Sequence, residues 1–208
     1  IVLEEVAASG AAMNGCSALH TSIFGMNPVV KHGSDALRDR YLPEVVAGRL
    51  HVAFGVTEPD AGTDTTAITT RARLDGDRYL VRGRKVWMTK APYCQKVLLL
   101  VRTTPLEEVE RKTHGLTLLL ADLQDPQVTI TPIPKVGRNA VVSCEVSFDD
   151  LEVPVDHRVG EEGKGFTYLL DGLNPERILI AAEALGIAEG TVKVHLKHIL
   201  EKLGAKDR

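Results

Sequence analysis

Hydrophobic positions along this chain change period twice. Up to about residue 50 they recur every three or four residues, which predicts helices over 1–8, 16–23 and 32–41, the last with Ser34 as its N-cap and Pro43 limiting its end. From His51 to about Arg158 the period falls to two in short runs such as AITTRARL, RYLVRG, KVWMT, KVLLLVR, LTLLLADL and CEVSFDDLEVP, divided by turn residues. Asp75-Gly76 between two alternating runs is the strongest hairpin signal in the chain. The polar stretch 104–114 predicts a surface excursion with a short helical turn. After Val159 helical spacing returns, with Leu169, Leu170 and Leu173 before Asn174-Pro175 and Ile178, Ile180 and Ala181 after it, so that the pair is predicted to break one helix and start another. The pattern as a whole predicts an α+β protein: a helical N-terminal piece (1–50), an antiparallel β-sandwich or barrel-like middle domain (51–158), the start of a C-terminal helical domain (159–187) and a basic amphipathic helix, helix-turn-helix-like, as a tail (188–208).

Composition narrows the class without choosing a function. With 208 residues, 44% hydrophobic and 25% charged, the chain can bury a sizeable core, and no apolar run approaches the ~20 residues of a membrane-spanning helix. A formal net charge of −3 makes no general case for nucleic acid or membrane. Cys16, Cys94 and Cys144 are far apart, odd in number and without metal spacing, which fits a reducing cytoplasm and implies neither zinc nor a disulfide framework. His20 and His32 have no second ligand at a useful distance, so no metal is expected. The chain lacks an initiator Met and opens inside a helical pattern, which is expected of a piece of a longer protein.

The stretch Val52–Asp64, VAFGVTEPDAGTD, leads from an apolar strand into a turn crowded with Thr, Pro, Asp and Gly. Thr57, Thr63, Thr65 and Thr66 supply hydroxyls and Gly62 allows close backbone approach, so the loop can serve a polar ligand or be an ordinary turn. Glu58 and Asp64 count against a bare phosphate site. The chain's one Trp, Trp87, stands two residues before Thr89, and on a strand both would point to one face. A flat hydrophobe beside a hydroxyl suits a planar, hydrogen-bonding ring; a Trp packed in a sandwich core remains the alternative. Gly160, Gly163 and Gly165 do not form a nucleotide fingerprint, because no strand followed by GxGxxG or GK with Ser or Thr is present.

With the segment RGRKVWMTK, this stretch resembles the acyl-CoA dehydrogenases, flavoenzymes that desaturate acyl thioesters, in which VTEP-x-AG-Ser/Thr-Asp and a later Trp-x-Ser/Thr hold the flavin. HGSDALRDRYLPEVVAGRL resembles the helical segment that leads into the family's flavin strand, and GEEGKGF its entry to the third domain. The resemblance covers about 185 residues and implies FAD as cofactor, with Phe54, Val56, Thr57, Gly62, Thr63, Trp87, Met88 and Thr89 around it. Backbone groups at Val56 and Thr57 would meet the pyrimidine edge, the Thr89 hydroxyl the N5 side, and Thr63 the pyrophosphate or the thioester ligand. It also implies an acyl-CoA substrate, an acceptor of the electron-transfer-flavoprotein kind, and a homo-oligomer, dimer or tetramer, for the longer parent.

In one branch of that family, the isovaleryl and long-chain type, the base that removes the α-proton lies in an x-Glu-Arg pattern at this point of the chain. That pattern makes Glu176 the catalytic candidate and Asn174 and Arg177, with Thr63, the substrate contacts. A Glu in the first turn of a helix also serves the helix dipole, and an Arg beside it a surface ion pair. From Gly186 onward, GIAEGTVKVHLKHILEKLG departs from the dehydrogenases and resembles the recognition helix of the LuxR-type bacterial transcription regulators. Val192, Leu196, Ile199, Leu200 and Leu203 form an apolar stripe, with Lys193 and Lys197 on the other face. By that resemblance Lys193, Val194 and Lys197 would read DNA. Two functions follow: a flavin-dependent acyl-CoA dehydrogenase, carried on an incomplete chain of weak or absent activity, or a DNA-binding regulator fused to a dehydrogenase-like remnant.

Overall fold

The computed structural model describes residues 5, 6, 9, 12–137 and 139–185. Helix α1 (Ala12–His32) is followed by α2 (Asp35–Val46), and the strands are β1 (Val52–Gly55), β2 (Arg71–Asp75), β3 (Arg78–Thr89), β4 (Lys96–Arg102), β5 (Leu116–Asp122), β6 (Val128–Pro132), β7 (Ser143–Pro154) and β8 (Arg158–Val159). Helix α3 (Gly165–Leu185) follows the strands. Fold class is thus α+β, as the period changes predict, with a short helical turn at Leu106–Glu108 in the surface excursion. Among the described residues no helix is long and apolar enough to cross a membrane.

Two proline readings need correction. Pro43 lies inside α2, which ends at Val46 and is closed by Gly48 just beyond its C-cap Ala47. Gly48 adopts a left-handed φ of 72°, its N–H reaches the Val45 carbonyl and the Arg49 N–H that of Glu44, which is the Schellman closure. Ser34 caps the start as expected, accepting from the Leu37 N–H at 3.2 Å. The Asn174-Pro175 pair likewise does not break α3, which runs through it. The carbonyl that Pro175 leaves without a donor, that of Asp171, accepts from Lys31 Nζ at 3.0 Å. Upstream, one helix spans the predicted segment 16–23 and reaches His32, with Pro28 inside it.

Strand order is β6-β7-β3-β2-β4-β5-β8, and β1 pairs with β4. The Asp75-Gly76 hairpin joins β2 to β3 with Asp75 opposite Arg78. Most pairings are antiparallel as expected, but β1 runs parallel to β4 and β2 meets β4 in a single parallel pair, Arg71 with Arg102. These strands are separated by a long connection rather than a tight turn, which leaves the parallel direction open to them.

The apolar runs KVLLLVR and LTLLLAD fail to alternate because both faces of β4 and β5 are covered. Val97, Leu99, Val101, Leu119 and Ala121 enter one core with Tyr79, Val81, Met88, Cys144, Val146, Phe148 and Leu151. Leu98, Leu100, Leu116, Leu118 and Leu120 enter a second, against Met26 and Val29 of α1, Leu37 and Tyr41 of α2 and Leu169 of α3. His157 ties α2 to this sheet: its Nδ1 lies 3.1 Å from the Leu120 carbonyl and its Nε2 3.0 Å from Tyr41 Oη. Burial holds its pKa below the usual value, so the neutral ring donates from Nδ1 and accepts from the tyrosine hydroxyl.

Helix α3 is seated on β5 through Gly165. A Cβ at that position would stand 2.7 Å from the backbone of Thr117 and Leu118, which cannot yield as a flexible side chain would. Gly165→Ala is therefore expected to cost about 2–3 kcal/mol, read as a lower urea midpoint at unchanged slope. A midpoint equal to that of the unaltered chain would show that α3 does not rest on β5 in this way.

Candidate functional site

The candidate loop is held by a buried ion pair. Lys85 falls on the core-facing phase of β3, with Tyr79 and Val81, and is 0% exposed. Its Nζ donates to Glu58 Oε1 at 2.8 Å and to the Val56 carbonyl at 3.0 Å. Glu58, 4% exposed, also accepts from Thr69 N–H and Oγ1 on Oε2 and from Thr70 N–H on Oε1. Burial opposes the Glu58 charge, but Lys85 and the threonine donors outweigh it and bring the pKa from 4.5 to about 2. Burial draws Lys85 down to about 8, with Glu58 holding against it, so both groups are charged at neutral pH.

Pro59-Asp60 forms the tip of a tight turn closed in both directions between Glu58 and Ala61. On its other side, the Thr57 carbonyl accepts from the Val86 N–H at 2.9 Å, which sets Thr57 one residue from Trp87. Arg102, itself buried, binds the far end of the loop by donating to the carbonyls of Thr66 and Ile68 and, across the excursion, to those of Thr104 and His114.

Trp87 is 58% exposed, which removes the core-packing alternative. The β3–β7 register slips by one residue between Lys85 and Met88, and Trp87 takes φ 62° there. A positive φ at a bulky residue is strain that its surroundings must hold in place. The bulge also changes the phase: Met88 turns into the first core at 1% exposure, so its side chain does not face a ligand and only its backbone can. Thr89 is half-buried, Phe54 and Val56 are half-buried against the second core, and Gly62 and Thr63 are exposed. With the Val56 and Thr57 carbonyls engaged, what this corner has to offer a ligand is N–H groups and the Thr57 hydroxyl.

Glu176 is 5% exposed on the face of α3 that also carries Leu169 and Gly172. Burial raises its pKa from 4.5 to about 7, with Arg177 and Lys31 pulling back. Among the described residues its Oε2 meets no hydrogen-bond partner. Arg177 is exposed and donates to Asn174 Oδ1 at 2.9 Å. The structure thus brings Thr57 to Trp87, but no hydrogen bond or ion pair among the described residues links Glu176 to Trp87 or Thr89. Two clefts, of about 780 and 540 Å³, are lined by His32, Asp77 and Arg158 and by Ile68, Arg71 and Arg102; neither includes Glu176, Trp87 or Thr89. Lys193, Val194 and Lys197 lie outside the described residues. The three cysteines are buried and none of them is in a disulfide, and among the described residues no His, Cys, Asp and Glu group could hold a metal.

Sequence reasoning missed Lys85 as an anchor. The signal was present: a lysine in the apolar phase of a buried strand requires a carboxylate partner, and Glu58 was the acid already in the loop.

Comparison with known proteins agrees with this fold. The acyl-CoA dehydrogenase N-terminal domain model matches residues 1–49 and the acyl-CoA dehydrogenase middle domain model residues 53–151. The model for bacterial regulatory proteins of the luxR family matches residues 166–208, beginning within α3 rather than at Gly186. Cyclohex-1-ene-1-carbonyl-CoA dehydrogenase of Syntrophus aciditrophicus is 34% identical over 97% of this chain and 48% of its own length. Mitochondrial isovaleryl-CoA dehydrogenase of Pongo abelii is 29% identical over 99% of this chain and 49% of its own. The crystal structure of a probable acyl-CoA dehydrogenase from Mycobacterium abscessus superposes with a TM-score of 0.83 at 34% identity, over 89% of this chain and 48% of that one. The chain spans about half the length of the curated relatives it matches.

The buried pair makes a testable statement about acid stability. Between about 2 and 4.5 the unfolded chain binds the proton that folded Glu58 releases, so this contribution is full above 4.5 and fades as pH falls through that window. Glu58→Gln should lose that component of the acid dependence and, with Lys85 left buried and unpaired, be less stable at neutral pH by about 3 kcal/mol. Urea unfolding of both proteins from pH 7 to pH 3 checks this; parallel pH profiles would contradict it.

Proposed function

The chain belongs to the acyl-CoA dehydrogenase family through residues 1–49 and 53–151, and from that premise we propose that it serves the α,β-desaturation of an acyl-CoA thioester with FAD. The observation that carries this reading is the junction of the Thr57 loop with the strained, exposed Trp87. A flat indole face beside N–H donors and a hydroxyl fits a planar ring with hydrogen-bonding edges. Phe54, Val56, Thr57, Gly62, Thr63, Trp87, the Met88 backbone and Thr89 would hold the flavin, which when bound supplies the acceptor for the hydride that leaves the β-carbon.

Glu176 takes the proton from the carbon next to the thioester carbonyl. A carboxylate in water is a weak base, and burial lifts Glu176 to about 7, where its ionised form holds a proton more strongly and is still populated at neutral pH. Thr63, Asn174 and Arg177 are its companions toward the substrate, with Arg177 oriented by Asn174. We extend the reading to an electron-transfer-flavoprotein-like acceptor and to a homo-oligomer. The luxR-family match over 166–208 supports a helix-turn-helix-like tail in which Lys193, Val194 and Lys197 would face DNA; it is the narrower match, and DNA binding is not the function proposed.

Reconstitution with FAD followed by an absorbance scan tests the first half: a bound flavin spectrum is expected, about tenfold weaker binding for Trp87→Ala, and no retained flavin would remove the proposal. Anaerobic addition of short-chain acyl-CoA tests the second. Bleaching of the flavin should rise with pH through about 7 as Glu176 loses its proton. Glu176→Gln should keep the spectrum and slow bleaching by roughly a thousandfold or more, whereas undiminished bleaching would move the base elsewhere.

A further inference from the structure

The turn that carries Glu176 is held from another helix. Pro175 has no N–H for the Asp171 carbonyl, and an unpaired carbonyl there would invite the chain to kink. Lys31, in the last turn of α1, donates to that carbonyl from Nζ at 3.0 Å. Its neighbour His32 stacks on the Tyr168 ring at 4.3 Å between centroids and brings Nε2 within 3.1 Å of Asp171 Oδ2, close enough for an ion pair though not aligned as a hydrogen bond. The end of α1 thus holds the Asp171 main chain through Lys31 and stands His32 beside its side chain. The helices pack side by side at this level: a Cβ on Gly172 would lie 3.4 Å from Asn27 Oδ1 and 3.5 Å from Pro28, ordinary contact distances.

We infer that Lys31 is a positioning residue for Glu176, its ammonium standing in for the N–H missing at Pro175 and so fixing the turn from which the buried carboxylate projects. The consequence for catalysis rests on the reading of Glu176 as the base; the geometry does not. The charged groups acting on Glu176 are Arg177 on its own helix and Lys31 on α1, with His32 and Asp171 paired nearby, while the residues of β5 on the side of α3, Leu116, Leu118 and Leu120, carry no charge. A lysine suits the task because its long, flexible stem can bring a compact donor to a single carbonyl.

The 208-residue chain itself provides the test. In Lys31→Met, amide exchange over residues 176–179 should quicken about tenfold, since the turn loses its plug. The titration of Glu176, followed by carbon-13 NMR of its carboxyl, should move further up, since a nearby cation is gone. Lys31→Arg should restore both. Lys31→Gln, which keeps a donor without the charge, should keep the slow exchange while the titration rises, and Lys31→Leu, which has neither donor nor charge, serves in place of Lys31→Met if that variant does not fold. Unchanged exchange in Lys31→Met overturns the inference, whether or not the titration shifts, because Lys31 would then be at most a distant charge. The two readings fail separately: undiminished flavin bleaching by Glu176→Gln would remove the base and leave the exchange result standing.

Discussion

The Glu58–Lys85 pair is the contact on which the candidate site depends. It joins two segments that the sheet alone would not bring together, a loop leaving β1 and the last part of β3, in a place shielded from bulk solvent. Two buried charges are tolerable only when each is satisfied, and here Lys85 has a carboxylate and a carbonyl while Glu58 has an ammonium and three donors from Thr69 and Thr70. The same carbonyl that Lys85 holds belongs to Val56, so the pair sets the height of the whole loop against the strand. Trp87 can hold its positive φ at the bulge because Lys85 before it and Met88 after it are both fixed in the interior.

Among the described residues two carboxylates, Glu58 and Glu176, are buried to nearly the same extent but stand in opposite electrical states. Glu58 is surrounded by donors and falls to about 2, so it is a permanent anion and a fastener. Glu176 has two cations at its margins and, among the described residues, no donor on Oε2, so burial prevails and it rises to about 7. The sign of the second shift also tells its cost. Folding favours protonated Glu176, so stability from this group is full below 4.5 and is lost as pH rises through about 7. Such a penalty is what a working base, rather than a helix-capping acid, would carry.

Periodicity made the fold legible, and chemistry that acts across long sequence separations did not. The change from helical to alternating spacing placed the sheet between its helices, the Asp75-Gly76 signal found its hairpin, and Ser34 found its cap. Proline rules misled twice, at Pro43 and Pro175, because a local breaker was overruled by a glycine closure in one case and by a lysine from a distant helix in the other. The resemblance also set Met88 around the flavin, and the structure turns its side chain into the first core. At the candidate site, Thr57 and Trp87 were visible from their motifs, whereas the fastener between them required knowing which lysine was buried.

Because that fastener is held to create the cofactor corner and not merely to stabilise the sheet, Lys85→Met is the most direct test. Its FAD dissociation constant should be compared with that of the unaltered chain at a temperature where circular dichroism shows both folded. Loss of the pair should weaken FAD by about a hundredfold or more, while the far-ultraviolet spectrum of the sheet persists. Equal FAD affinity in the two proteins would mean that the loop finds its place without the pair, and would contradict the role of Glu58 and Lys85 as the fastener of the cofactor corner.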